Sequence, residues 1–282
     1  MNYRSESPSI EFCREAARPD AEVDLARAAL LVARHFCPQL DVQAYLGRID
    51  QVAEDVRDRL GDESAPLVLL QEVRQTLFIR HGFRGNREEY YDPRNSFLSD
   101  VLDRKRGIPL TLGILFLEVG WRLGLQVEGV NFPGNFLVRF VGEEVRLLLD
   151  PFDNGAIRFE DQAQELLDRG YGGLVRNRPD FLRAATRRAM LVRLLTNLKG
   201  VYLGREDHPR ALAAVDHILA IRPTSAGEIG TRGTLLARLG RGSEALAQLE
   251  RYLDCDPSGP EVARIRALVE ELRSSTDTGS AP

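Results

Sequence analysis

The residues from Asn95 to Phe140, NSFLSDVLDRKRGIPLTLGILFLEVGWRLGLQVEGVNFPGNFLVRF, followed by LLLDPF at Leu147–Phe152, are laid out like a thiol enzyme. A buried helix is followed by a pair of strands and then a carboxylate, Asp150. In such a site a thiolate attacks an acyl carbon, an imidazole carries the proton and the carboxylate orients the imidazole. Two of those three groups are missing, because no cysteine and no histidine lies between Arg84 and Asp207. The candidate hydroxyls, Ser96 and Thr111, need a base before they can attack. Of the four histidines, His35, His81, His208 and His217, only His81 lies near a loop of the N-terminal part, and no spacing aims it at Thr111. His208 and His217 read as surface residues across a turn. Cys13, Cys37 and Cys255 are odd in number and have no ligand spacing, so neither a disulfide framework nor a structural zinc is expected. Cys37 and Cys255 read as small apolar fillers, and Cys13 as exposed. The loop GFRGN, Gly82–Asn86, lacks the spacing of a phosphate-binding glycine loop. No cofactor and no metal is expected.

The elements that must position these residues come from a chain of 282 residues with a 43% apolar fraction, enough for a core and for one large domain or two ordinary ones. The net charge of −4 gives no electrostatic reason to expect a nucleic acid partner. Nearly all the cations are arginine, Lys105 and Lys199 being the lysines. Genome composition accounts for that bias, and an arginine-selected phosphate surface is the other reading. The polar start MNYRSESPSIEF does not read as a signal peptide. The most apolar run, Ile108–Val119, suits a buried helix and falls short of the roughly 20 residues of a membrane span. A cytoplasmic location and no membrane partner are the expectation.

Residues 1–20 read as a loose arm. Periodicity predicts helices over 23–35 and 42–60, and a third from Pro66 through Leu77 and Phe78. Asn95 or Ser96 is the expected N-cap of a short helix ended by Gly107. Pro109 then opens a helix to Leu123 that is apolar on nearly every face, closed by Gly124, and must be enclosed by its domain. The period changes to strands over 127–132 and 136–141, with a hairpin turn at VGEEV and a return strand over 145–149. Helices followed by an antiparallel sheet on a central helix make an α+β domain, placed at 21–180. The rest is helical by pattern and repeats itself. PRALAAVDHILAIRP, ending at Pro223, matches SEALAQLERYLDCDP, ending at Pro257, at an offset of 34 residues. Leu203-Gly204 and Leu239-Gly240 mark the preceding turns, and 261–273 suits a capping helix. The repeat region is placed at 184–273, with a frayed tail over 274–282.

The central order resembles the transglutaminase-like core, a papain-type fold. There a cysteine sits at the N-terminus of the buried helix, a histidine on the next strand deprotonates it, and an aspartate follows on the strand after. The resemblance puts the nucleophile at Pro109–Thr111, the histidine at Asn135 and the aspartate at Asp150, fifteen residues further on. Asp150 has a second reading, as a turn aspartate ahead of Pro151. Helix pairs of this period, with Leu-Gly at the turn and a closing Pro, resemble tetratricopeptide repeats. The motifs YYDPRNSFL, RGIPLTLGILFLEV, RLGL, GVNFPGNFLVRF and LDPF together, ahead of such repeats, resemble the bacterial SirB-type family. That family reads FPGHF where this chain has FPGNF.

These observations favour a non-catalytic transglutaminase-like protein that binds a protein or peptide, with regulation as one use of such binding. The helical-repeat groove would hold the partner. The competing reading is a hydrolase or acyl transferase built on Thr111 or Ser96 with Asp150. A third is purely structural, with the cleft filled by side chains. An open polar cleft at Asn135 and Asp150 favours the first, and a hydroxyl within about 3 Å of a histidine or carboxylate the second.

Overall fold

A computed structural model describes residues 7–63, 65–255 and 258–278. The chain divides into two units: Ala17–Leu194, and the N-terminal helix together with the chain from Leu195 onward. In the first unit, α2 (Leu25–Phe36) and α3 (Val42–Leu60) start where an aspartate can accept from orphaned amides. Asp24 accepts from the Arg27 amide at 2.8 Å, and Asp41 from those of Gln43 and Ala44. Pro66 opens α4 (Pro66–Arg74), which runs into a π-helical turn over Gln75–Arg80.

The short helix α5 (Leu98–Arg104) departs from expectation at both ends. Its N-cap, Phe97, makes no side-chain cap; Asp92 instead caps the 3-10 turn Pro93–Asn95 ahead of it. Its C-terminus turns through Lys105 at φ 59°, not through Gly107. Gly107 belongs to β2 (Arg106–Gly107), which pairs in parallel with β1 (Arg84–Gly85).

The central helix α6 (Pro109–Arg122) is buried from Pro109 through Gly120. A helix apolar all round has no solvent face to lose, so it is enclosed by α2, α3, α4 and the sheet. One charge is carried inside. Glu118 accepts from the Ala26 amide at 2.9 Å and pairs with Arg122, tying α6 to the first turn of α2.

Four antiparallel strands follow in the order β3 (Val127–Val130), β4 (Leu137–Val141), β5 (Arg146–Asp150) and β6 (Ala156–Phe159). The expected hairpin lies between β4 and β5, where Val138 faces Leu149 and Val141 faces Arg146. The edge strand β6 was not foreseen; it aligns Ile157 with Leu149 and Phe159 with Leu147. After it, α7 (Ala163–Tyr171) packs Ala163 and Leu167 onto Val130, Phe132, Leu137 and Leu148.

The second unit corrects the picture of a loose arm. Residues Ile10–Ala17 form α1, and Phe12 is fully buried, its ring edge-on to that of His217 at 4.8 Å. His217 is therefore a core residue and not a surface one, with Nδ1 against the Ala213 carbonyl at 2.8 Å. Residues 1–6 of the expected arm lie outside the described residues.

Helix α8 (Arg187–Gly204) is followed by α9 (His208–Ile221), α10 (Ala226–Arg238), α11 (Gly242–Asp254) and α12 (Glu261–Thr278). Ile229, Leu249, Tyr252, Ile265 and Val269 form a core shared by α10, α11 and α12. The repeat holds bond for bond at 34 residues. Asp207 N donates to Tyr202 O and Arg241 N to Leu236 O, both at 2.9 Å; Ala211 N to Asp207 O and Ala245 N to Arg241 O match likewise. This pairing makes Glu206, not Gly204, the counterpart of Gly240: both are left-handed, at φ 55° and 73°. The two Leu-Gly pairs are therefore two residues out of register. The expected tail begins five residues too early, since α12 continues to Thr278; residues 279–282 and the closing Pro257 lie outside the described residues. Contacts group residues 184–194 with the first unit, although the repeat region was expected to start at Ala184.

Candidate functional site

Pro109 is the first residue of α6, where its missing N–H leaves nothing unsatisfied. The helix start is closed by Thr111 rather than by its N-cap. The Thr111 hydroxyl accepts from the Ile108 amide at 3.1 Å and donates to the Asn95 carbonyl at 2.8 Å. It is 0% exposed. Both its hydrogen-bonding roles are filled by backbone, which makes Thr111 a structural hydroxyl with no route to a substrate. Asn95 is likewise structural. Its amide nitrogen donates to the Glu89 and Tyr90 carbonyls, and its amide oxygen accepts from Asn86 Nδ2 at 3.0 Å. Its expected capping role is absent, because the side chain is committed to holding the loop before it.

Asn135 and Asp150 do come together. The turn through Gly134 delivers Asn135 to the head of β4, and β5 ends at Asp150. Asn135 Nδ2 donates to Asp150 Oδ2 at 2.9 Å, while Asn135 Oδ1 accepts from the Phe136 amide at 2.8 Å. The other carboxylate oxygen, Asp150 Oδ1, accepts from the amides of Phe152 and Asp153 at 3.0 and 3.3 Å. One oxygen of Asp150 thus builds the turn and the other meets Asn135. Burial pushes the Asp150 carboxyl up from its ordinary value, against the opposing pull of the Asn135 amide and the two backbone donors. Arg193 completes the support by donating to the Asn135 carbonyl at 2.7 Å and, at 3.4 Å, to that of Phe132. No motif pointed to Arg193, which lies on α8.

Asn135, Asp150 and Pro109 line one cleft of about 470 Å³, walled by Tyr90, Phe152 and Tyr171. Thr111 and Ser96 do not line it, and among the described residues no serine or threonine does. Nor does a histidine. His81 is engaged with Asp55 of α3 at 3.0 Å, and His35 lies against Phe36 with ring centroids 5.1 Å apart. The three cysteines are exposed, Cys37 and Cys255 included, so those two are not core fillers. No group of three metal-ligating side chains occurs among the described residues. No helix among them is long and apolar enough to cross a membrane. In this cleft an amide faces a carboxylate and an imino-acid ring starts the helix. The arrangement can hold a ligand by hydrogen bonds and charge. Among the described residues lining it there is no thiol, imidazole or aliphatic hydroxyl; the hydroxyls present are the phenols of Tyr90 and Tyr171.

Comparison with known proteins places the two units. Residues 43–196 match the transglutaminase-like superfamily, and residues 198–270 match the tetratricopeptide repeat. A UPF0162 protein of Xylella fastidiosa (strain Temecula1) is 36% identical over 259 residues, which covers 90% of this chain and 91% of the relative. A UPF0162 protein of Vibrio cholerae is 27% identical over 252 residues, covering 89% and 93%. A shorter likeness, 38% over 85 residues, links 30% of this chain to 14% of the mouse F-box only protein 21. No solved structure matches the chain at a significant level. With more than half its length matched and a relative above 30% identity along nearly all of it, the chain belongs to the transglutaminase-like superfamily, alongside the bacterial UPF0162 proteins.

Proposed function

We propose that this protein, a SirB-type relative by its motifs, is a non-catalytic member of the superfamily that works by binding a protein or peptide. The observation that carries the reading is the Asn135–Asp150 pair at 2.9 Å in an open cleft. A carboxamide neither accepts a proton at useful pH nor carries charge, so it cannot serve as the base of an acyl transfer. What it retains is a donor and an acceptor on a buried carboxylate, suited to holding a peptide-like ligand. The open, partly polar lining argues against a cleft that only fills space. The buried, doubly bonded hydroxyl of Thr111 argues against the hydrolase reading. The repeat unit supplies a second surface, since helical repeats commonly take up peptide segments.

The test is the variant Asn135→His in the full chain, assayed for ammonia release from glutamine-containing peptides and for amide hydrolysis. We expect no activity from it or from the wild type, because restoring the imidazole leaves the helix start without a thiol. Turnover by either protein that is lost on Asp150→Ala would sink the non-catalytic reading.

A further inference from the structure

We infer that the Asn135–Asp150 cleft is one end of a groove that recognises an acidic, extended peptide segment; the inference rests on the peptide-binding reading above. Beside the cleft lies a second hollow of about 350 Å³, lined among others by Arg84, Arg106 and Asn154. The two share Arg87, Phe152 and Asp153, so they run into one another across the Phe152 ring. Five arginines line the joined groove: Arg84, Arg87 and Arg106 at one end, Arg158 and Arg169 at the other. They face three carboxylates, Glu88, Asp150 and Asp153. In a chain of net charge −4, that is a local reversal of sign.

The carboxylates present do not use up these donors. Arg84 and Arg106 are register partners in the parallel β1–β2 pair, so their side chains leave the ribbon on the same face. Like charges set opposite one another repel. Arg106 has Glu88 at 3.1 Å, while Arg84 has no carboxylate partner among the described residues. Asp153 is shared loosely by Arg87 at 3.5 Å and Arg158 at 3.6 Å. Arg158 Nε is buried and makes no hydrogen bond. Arg169 has no ion pair among the described residues. Asp150 is already committed to Asn135 and two backbone amides.

Guanidinium groups without a close carboxylate, Arg84 and Arg169 among them, take up a ligand carboxylate in the planar, two-pronged form that arginine fits. Unused donors occur at both ends of the groove. A single carboxylate would satisfy one end only, whereas a strand carrying acidic side chains at intervals satisfies both. Its apolar atoms would cross the saddle made by Phe152, over which the Arg87 guanidinium lies 4.9 Å from the ring centre, with Tyr90 edge-on at 5.8 Å.

The experiment is fluorescence anisotropy on the full-length protein with three labelled, end-blocked peptides of equal length, in which Ser alternates with Glu, Gln or Lys. The Glu peptide should bind about tenfold or more tightly than the Gln peptide, and its affinity should fall as salt is raised. The double variant Arg84→Gln/Arg106→Gln should lose about tenfold in affinity for it. Both side chains are surface groups, and an unchanged thermal melt verifies the fold. Arg238→Gln, in the helical-repeat unit, should bind as wild type. Equal binding of the Glu and Gln peptides, lost on Asp150→Ala, overturns the acidic preference and leaves the cleft as a peptide site. Loss with Arg238→Gln in place of the Arg84/Arg106 variant overturns the location. Binding of none of the three peptides overturns the peptide reading of the cleft as well.

Discussion

Asn135 shows how one side chain decides what its neighbours can do. The spacing of fifteen residues between Asn135 and Asp150 was enough to foresee their meeting, because two strands joined by a short turn return the chain to its starting edge. Arg193, bonded to the Asn135 carbonyl from 58 residues away, could not be foreseen, since a contact of that range leaves no periodic trace. The place of Thr111 outside the cleft is hidden for a related reason: position alone cannot tell a hydroxyl facing a cleft from one folded back on its own helix start. The raised Asp150 pKa has a consequence for stability. Its folded value lies above its unfolded one, so as pH rises from about 4 the unfolded chain gives up the proton first. Stability contributed by the protonated group is present below that range and is lost as pH climbs through the folded value. Denaturant melts of wild type and Asp150→Asn at a series of pH values should therefore diverge: wild type falls relative to the variant with rising pH, then runs parallel to it. A gap that widens in wild type's favour as pH rises would contradict the burial argument.

At the level of elements, a helix apolar on every side announces its own enclosure, and α6 was legible for that reason. Caps were less so. The start of α5 has no side-chain cap, and Asp92, not Asn95 or Ser96, caps the 3-10 turn ahead of it, because several polar residues near one another all satisfy the local rule and only the packed loop chooses among them. The repeat period was legible from Ala211 and Ala245, yet the turn was read two residues early. Gly204 fits the glycine signal of such a turn, whereas the left-handed residue there is Glu206. A non-glycine side chain in that conformation is strained by about 1–2 kcal/mol. Glu206→Gly should accordingly stabilise the protein by about 1 kcal/mol, and Gly240→Ala should destabilise it by a similar amount. Urea unfolding followed by circular dichroism measures both. No change in either variant would mean that the turns are set by packing rather than by backbone preference.

On the scale of the whole molecule, the sequence order of the elements is not their order in the fold. Over the N-terminal helix α1 the sequence reads as a loose arm, because eight residues with a polar approach carry too little pattern to stand out. Its burial is decided by partners some 200 residues away, Phe12 against His217. Phe12→Ala should destabilise the helical-repeat unit by about 3 kcal/mol or more, the usual result of emptying a fully buried aromatic position. Calorimetry of the full chain should show the transition of that unit moving down; an unmoved transition would return α1 to the status of an appendage. The joining of α6 to α2 through Glu118, across 92 residues, was hidden for the same reason.

Gly134 stands next to Asn135 in the left-handed region, and a β-carbon added there would lie 2.9 Å from the Tyr171 hydroxyl. The gape of the cleft is thus written in a methyl group that the chain omits: α7 closes as far as Tyr171 because nothing at 134 holds it off. Any other residue at that position would act as a doorstop, straining the turn and prising the phenol outward to widen the mouth.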